Sequence, residues 1–569
     1  MRRLVTVASA VMLVALACTS GTPPAGASPA GSAADTPIPG GRLVLGSTGD
    51  PKTFQPVIAT DSTSSTAWQQ VYLGLLRRDV KTGNIIGGLA DKYELSKDGL
   101  TLTYTLRDNL VWSDGQPFTG DDYKYTAEAV MRSKKTVRQS TFDNVLGAKD
   151  YKAGKTDGIA GITVSNAGKT ITIKFDKVYC PAIEDLSGAG AGGIIPASYF
   201  KKFFDNKTTD VSKNIDDNEL NMNPPASMGP WIFKDFKPGQ QISYTKNPKF
   251  YRGAILLDEL VIKNYADSTA IKAALVTGEV TYAGVQPKDF DEVKAIETLK
   301  GYEYPGYNWD YIGWNAEAAK APWLANKLVR QAFMYGLNRQ AILDKILFGH
   351  GKLVNASQPP ANGAYNDSDL QKYPFDVAKA KSLLEQAGAK MGSDGVYRWT
   401  DGSPMKMRIE TNQGNNTRET ILQFSQEQYK AIGVQIDPLL ESFNALLDRT
   451  KCCGTDYEGF ILGWTGLGPD PDHKDLWHSS AVAQDQFNRP RYRNAAVDKA
   501  LDAGRDGPDC SDAARNAQAH IVDKQLNEDV PVAFLYSTNI LNFATKKLQN
   551  FDPNQYSTTW NIEKWWFKP

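Results

Sequence analysis

The chain opens on a segment that fixes where it must fold: Arg2 and Arg3 precede an almost entirely apolar run, Leu4 to Ala17, and Cys18 follows. A basic start, a short apolar stretch and a small residue before a cleavage point make a secretory signal, and the run is too short for an ordinary membrane-spanning helix. Cleavage before a cysteine in this context leaves that cysteine N-terminal and lipidated. The residues ahead of it are Ala15-Leu16-Ala17, so the leucine usual three places upstream is missing. The expectation is a signal peptide over 1–17, lipidation at Cys18, and attachment to the outer side of the cytoplasmic membrane through that lipid. Residues 18–39 are dominated by Ser, Pro, Gly and Ala, cannot build a core, and read as a flexible tether.

No other apolar stretch is long enough to span a bilayer, so the body is expected to be soluble. About 530 residues follow Pro39, more than one core normally supports, which implies at least two domains. The formal charge is balanced and no basic cluster is interleaved with aromatics, so nucleic acid is not an expected partner. Twelve tryptophans and twenty-five tyrosines supply rigid surface both for cores and for ligand sites. Besides Cys18 there are Cys180, the vicinal pair Cys452-Cys453, and Cys510. In an exported chain they permit disulfides, and their spacing does not supply a zinc ligand set. The favoured pairing joins Cys510 to one of the vicinal pair, with Cys453 as its partner.

Periodicity gives the elements. Leu100, Leu102, Tyr104 and Leu106 alternate as one face of a strand. Ile162 and Val164, the turn Asn166-Ala167-Gly168, and then Ile171, Ile173 and Phe175 make a hairpin. Trp231 and Phe233, then Pro238-Gly239, then Ile242 and Tyr244 make another. Further on, Asp376 is placed to cap a helix carrying Val377, Ala380, Leu383, Leu384 and Ala387 on one face, with Gly388 as its stop. A strand through Met405, Met407 and Ile409, a helix ending near Gly433, and the strand-like Val434-Gln435-Ile436 follow, an α/β order.

With these landmarks in place, the chain resembles the extracellular solute-binding proteins of the oligopeptide, dipeptide and nickel class, family 5, that serve ABC importers. The resemblance is carried by Gly49-Asp50-Pro51-Lys52-Thr53-Phe54, Tyr72-Leu73-Gly74-Leu75-Leu76, the string Leu110 to Thr119, Gly229-Pro230-Trp231, Val329 to Phe333, and Gly463 to Asp472. Each string is weak alone; their order and spacing from Gly40 to Phe567 carry the match. It implies an α/β, two-lobed periplasmic-binding-protein-like fold, class II type, with an extra subdomain in lobe one. Lobe one is expected over 40–262, lobe two over 263–531, and a C-terminal return to lobe one over 532–569, with crossings near Val261 to Asp267 and Val530 to Tyr536. The implied function is capture of oligopeptides in the interlobe cleft and delivery to the permease subunits, by a monomer that is not an enzyme and needs no cofactor or metal. An oligosaccharide is the alternative cargo, and nickel or another metal chelate a minor one.

Trp112 reads as core beside an Asp114-Gly115 turn rather than as a ligand group. Trp464 resembles the tryptophan that flanks the cleft in peptide-binding relatives, with core packing as the competing reading; Trp68 is a second aromatic candidate in lobe one. Two residues past Thr465, Leu467 stands where many members carry an aspartate that pairs with a peptide's free amino group. Asp470 and Asp472 are the nearest acids, and turn formation around Pro471 is their competing role. An apolar Leu467 cannot offset the desolvation of an ammonium group. A strict short-peptide binder that clamps the N-terminus is therefore not expected. In the loop Asn412 to Asn416, the amides of Gln413, Asn415 and Asn416 suit peptide groups and sugar hydroxyls alike, although Asn416 or Thr417 is also placed to cap the next helix. Asn315, after Trp314, resembles an asparagine near the cleft, with a structural hydrogen bond as the other reading. Enzymatic signatures are weak: Gly463-Trp464-Thr465-Gly466 has no serine, and His350, His473, His478 and His520 lack ligand spacing on a shared helix, His473 and His478 lying five apart in an expected loop.

Overall fold

Alternation at 100–106 becomes the strand Thr101–Leu106, whose Leu102, Tyr104 and Leu106 are buried. It is the inner strand between Ala90–Leu95 and Thr170–Lys174, and Ile162–Ser165 closes a separate four-stranded antiparallel sheet. This computed structural model describes residues 36–203, 215–451, 456–482 and 487–569. The hairpin turn at 166–168 holds Asn166, Ala167 and Gly168 in the left-handed region. Helix Gly120–Arg132 covers the sheet; Thr119 and Asp122 cap it reciprocally, and Tyr123, Ala127 and Val130 face the core. Trp112 lies in that same core with its indole N–H 3.3 Å from the Asp122 carboxylate, and Gly115 N–H closes the turn onto the Trp112 carbonyl. The helix expected after Asp376 spans Val377–Gln386; the Asp376 carboxylate accepts from Lys379 N–H, and Gly388 follows at φ +99°.

The organising element is one long strand, Val532–Thr545, of 14 residues, roughly 46 Å at about 3.3 Å per residue. Its first part, Val532–Tyr536, pairs with Asn308–Trp314, which leads through Gly459–Thr465 and Lys406–Asn412 to Gln435–Glu441. Its second part, Asn539–Thr545, pairs with Leu299–Pro305, and at 542–544 with Tyr282–Gly284; beyond lie Arg42–Ser47, Glu259–Asn264, Gln241–Lys246 and Trp231–Lys237. Two lobes thus share a twelve-stranded sheet through this strand. The body, Ile38–Pro569, holds together as one unit. Lobe two sandwiches its part of the sheet between two cores: strand Asn308–Trp314 sends Trp309 and Tyr311 to one and Ile312 and Trp314 to the other, the period of a strand buried on both faces.

Three expectations need correction. The segment 268–305 belongs to the first half of the sheet, not to lobe two: helix Ser268–Thr277 packs Leu275 with Val44, Phe290, Leu541 and Phe543, and Leu299–Pro305 pairs with the second part of the long strand. The first crossing therefore lies at 306–307 rather than at 261–267, because strand Glu259–Asn264 ends inside the sheet beside Arg42–Ser47. The return crossing lies at 537–538, since Val532–Tyr536 still pairs within lobe two. Finally, Cys510 is bonded to Cys180, 330 residues away in sequence, not to Cys453. Tyr179 and Ala182, flanking Cys180, sit in the first-lobe core, while Cys510 joins helices Ala495–Asp506 and Asp512–Asp529 of lobe two, so folding brings together two cysteines that spacing keeps apart. Cys452 and Cys453, like Cys18 and the segment 1–35, lie outside the described residues. No helix among the described residues is long and apolar enough to cross a membrane.

Lobe two also buries a polar knot in which two titrations oppose each other. Asp523 accepts from Ser357 N–H at 3.0 Å, and Ser357 Oγ lies 2.5 Å from His473 Nδ1. Burial pushes the Asp523 carboxyl up to about 7, against bonds from the Ser357 and Gln358 amides, and pushes the His473 imidazole down to about 4. Between pH about 4 and about 7 folded Asp523 keeps a proton that the unfolded chain has lost, a contribution to stability that disappears as pH rises through about 7. Between about 4 and 6.5 the unfolded chain protonates His473 and the fold does not, which acts the other way. Relative to wild type, D523N is expected to become more stable as pH rises across its window and H473Q less stable across its own. Each slope is at most about 1.4 kcal/mol per pH unit. Urea unfolding of the three proteins across that range checks the signs; parallel curves would mean that neither group changes its proton affinity on folding.

A cavity between the lobes as the candidate functional site

The wall supplied by lobe two begins where strand Gly459–Thr465 ends. Gly466 and Gly468 take φ +68° and +73°, and a Cβ at either would meet nothing within 4 Å, so glycine serves the backbone turn there rather than close packing. Between them Leu467 packs partly on the lobe-two core and donates its N–H to the Tyr307 carbonyl at the first crossing, 3.2 Å away. The loop is then strapped down. Asp470 receives two bonds from the Arg515 guanidinium, at 2.6 and 2.7 Å, and Asp472 pairs with Arg505 at 3.1 Å.

Facing this loop, the end of helix Ser62–Trp68 leads to Gln69 and Gln70, and the short strand Leu76–Arg78 brings Arg77 and Arg78. Glu184, the segment 250–252, the crossing residues Tyr304 to Asn308, Ile540, and the C-terminal stretch 554–560 complete the wall. They enclose a cavity of about 700 Å³. Its aromatic content is high: Phe250, Tyr251, Tyr304, Tyr307, Tyr556 and Trp560 all line it. Tyr307 and Tyr556 stand 6.2 Å apart at an interplanar angle of 39°, and burial with the neighbouring phenol pushes Tyr307 up to about 12. Arg78 forks onto Glu184, and Arg252 pairs with Glu563 at 3.1 Å while donating to the Trp560 carbonyl at 2.5 Å. Amides and phenols offer both donors and acceptors, and the rings offer flat apolar surface, a composition suited to a flexible polar ligand.

A smaller cavity of about 170 Å³ is lined by Tyr536, Thr538, Asn539 and Leu541 of the crossing strand, whereas Ile540 lines the large one. It contains the Arg418–Asp310 ion pair at 3.0 Å, which fits because residue 463 is glycine: a Cβ there would meet both partners at 2.7 Å.

The side chains singled out from sequence mostly take other posts. Trp464 is half-buried, edge-on to Phe487 at 5.2 Å and 6.0 Å from the Arg489 guanidinium, so its neighbour Thr465 lines the large cavity while its ring packs on lobe two. Trp68 is a core residue, its ring covered by Gly192 and Gly193. Asn315 is fully buried, donating to the Tyr457 carbonyl and accepting from Glu317 N–H, which is the structural role. Asn415, one residue earlier than expected, caps helix Asn416–Ala431 and lines the small cavity. Asn416 reaches Thr269 at 2.9 Å on the first-lobe side, and Gln413 is exposed. Asp470 belongs to Arg515. Sequence reasoning missed the arginine strand 76–78, the tyrosines of the first crossing and the C-terminal stretch 554–560; the density of aromatics at 302–307 and 556–560 was the available signal.

Two lobes joined by adjacent strands, with an aromatic and amide-lined cavity between them, define a two-lobed solute-binding protein. Comparison with known proteins agrees. The family model "Bacterial extracellular solute-binding proteins, family 5 Middle" matches residues 84–481. The oligopeptide-binding protein AppA of Bacillus subtilis (strain 168) is 28% identical over 560 residues, 98% of this chain and 97% of that protein. The structure of the B. subtilis AppA in complex with a nonapeptide matches with a TM-score of 0.83 at 27% identity, covering 94% of this chain and 100% of that one. Lactococcal OppA, complexed with an endogenous peptide in the closed conformation, has the same fold, with a TM-score of 0.81 at 22% identity over 92% of this chain and 99% of that one. The chain belongs to the bacterial extracellular solute-binding proteins, family 5.

Proposed function

We propose that this protein captures oligopeptides in the interlobe cavity and hands them to the permease of an ABC importer, working as a monomer held to the membrane by a lipid on Cys18. The observation that carries the reading is the cavity itself. At about 700 Å³ it falls within the roughly 300–1,000 Å³ range of small-ligand sites, and it is walled by both lobes, so a bound ligand stabilises the closed arrangement. Its chemistry supports recognition of backbone and side-chain surface rather than of a free N-terminus. Leu467 replaces a carboxylate, Asp470 and Asp472 are held by Arg515 and Arg505, and the one acid lining the cavity among the described residues, Glu184, is held by Arg78.

Mass spectrometry of the ligand released by gentle denaturation of purified protein is expected to find peptides, and titration with N-acetylated and free forms of one such peptide to give affinities within about fivefold of each other, the scale of one net hydrogen bond. Recovery of a glycan or a metal chelate instead would overturn the cargo, and a hundredfold loss on acetylation would overturn the mode of recognition. Labelled fatty acid should mark the wild type and not C18S; equal labelling would remove the lipid attachment.

A further inference from the structure

We propose that Arg77 is a specificity-determining residue of the cavity, selecting peptides that place a carboxylate beside the strand Leu76–Arg78; this rests on the peptide-binding reading of the same cavity. Three guanidinium groups line it. Arg78 is neutralised by Glu184 and also donates to the Gly83 carbonyl, and Arg252 is neutralised by Glu563. Arg77, which lines the same wall, is exposed and makes no ion pair or side-chain hydrogen bond with another described residue. Its charge nevertheless acts inside the cavity: burial raises the Tyr251 phenol, and Arg252, Arg77 and Arg107 pull it back. Arg107 already faces Asp91, at 3.6 Å, and donates to the Gly88 carbonyl. The facing loop has no acid to offer, because Asp470 and Asp472 are occupied by Arg515 and Arg505.

Among the described residues, the lining therefore carries one cation without a counter-charge. A guanidinium is permanently charged, and its planar fork matches a carboxylate, so a ligand that supplies one completes the pattern already made at Arg78 and Arg252. Between closed lobes, with less water than on an open surface, such a pair is worth more than an exposed salt bridge.

The test uses isothermal titration of the full-length soluble body with synthetic nonapeptides that differ only by Glu or Gln at one position, each made with a free or an amidated C-terminus. Wild type is expected to prefer one acidic form, side-chain or terminal, by about tenfold, and R77Q to lose that preference. Raising the salt concentration should shrink the preference in wild type only. Unchanged binding of neutral peptides with no acidic preference, or a preference that survives in R77Q, would overturn the role of Arg77 and leave the peptide reading intact. Failure of every peptide to bind would overturn both.

Discussion

Replacing both disulfide cysteines, as C180S/C510S, is expected to cost about 2 to 5 kcal/mol of stability and to speed release of bound peptide by tenfold or more. The stability loss follows from a cross-link that closes a loop of 330 residues, near the top of the range for chain-entropy stabilisation. The effect on release follows from where the link sits. Among the described residues, the backbone otherwise crosses between the lobes at 306–307 and 537–538, two neighbouring points of one sheet. Two adjacent strands allow hinge rotation in more than one direction. A third covalent link restricts the lobes to rotations whose axis passes near Cys180 and Cys510. Opening is then directed to the side where contact is non-covalent, such as Lys52 with Asp448 at 2.6 Å. Stopped-flow release and the scattering radius of apo and loaded protein read the two effects. The variant should show a larger difference in radius between the two states than the oxidised wild type, and reductant should move the wild type toward the variant. Identical radii and release rates in both proteins would mean that the link does not limit opening.

The second large effect is expected at Asp470. D470A should destabilise the body by about 3 to 5 kcal/mol, because it strands the Arg515 guanidinium, whose side chain is only 10% exposed. The same carboxylate also accepts from Asp472 N–H at 2.8 Å, and Asp472 in turn holds Arg505. One substitution therefore loosens the strap behind Gly466 and Gly468, and peptide affinity should fall with stability. D470A/R515M, which removes the stranded charge and keeps an apolar stem, should recover at least half of the stability. A ligand anchor would behave differently: D470A would lose affinity while unfolding at the wild-type denaturant concentration, and that pattern would refute the structural role given to Asp470.

Much of the body was legible because its signals are local. A strand alternates with period two whatever it pairs with, so Leu102, Tyr104 and Leu106 marked a strand, and Asp376 with Gly388 marked both ends of a helix. The order of short landmarks was enough to place the chain in its family, and Leu467 was enough to show that position 467 carries no acid. The site residues fared less well, and the reasons are particular. Asn415 and Asn315 are residue types that serve a ligand or a backbone equally well, and here a helix N-terminus and the Tyr457 carbonyl take them. Trp68 and Trp464 are as useful for packing as for stacking, and only the glycines opposite one and Phe487 beside the other decide.

What the sequence determined by itself is therefore the set of elements, the two-lobed family fold and the absence of an acid at position 467. The tertiary structure alone decided where the chain crosses between lobes, that Cys180 meets Cys510, that Asp470 and Asp472 belong to arginines, and that four segments near 70–78, 250, 304–308 and 554–560 share one cavity. The physical reason is range. Backbone periodicity and capping act over a few residues and leave their mark in the order of side chains. The cavity is set by which strands pair along Val532–Thr545, a choice between partners far away in sequence that no local pattern encodes.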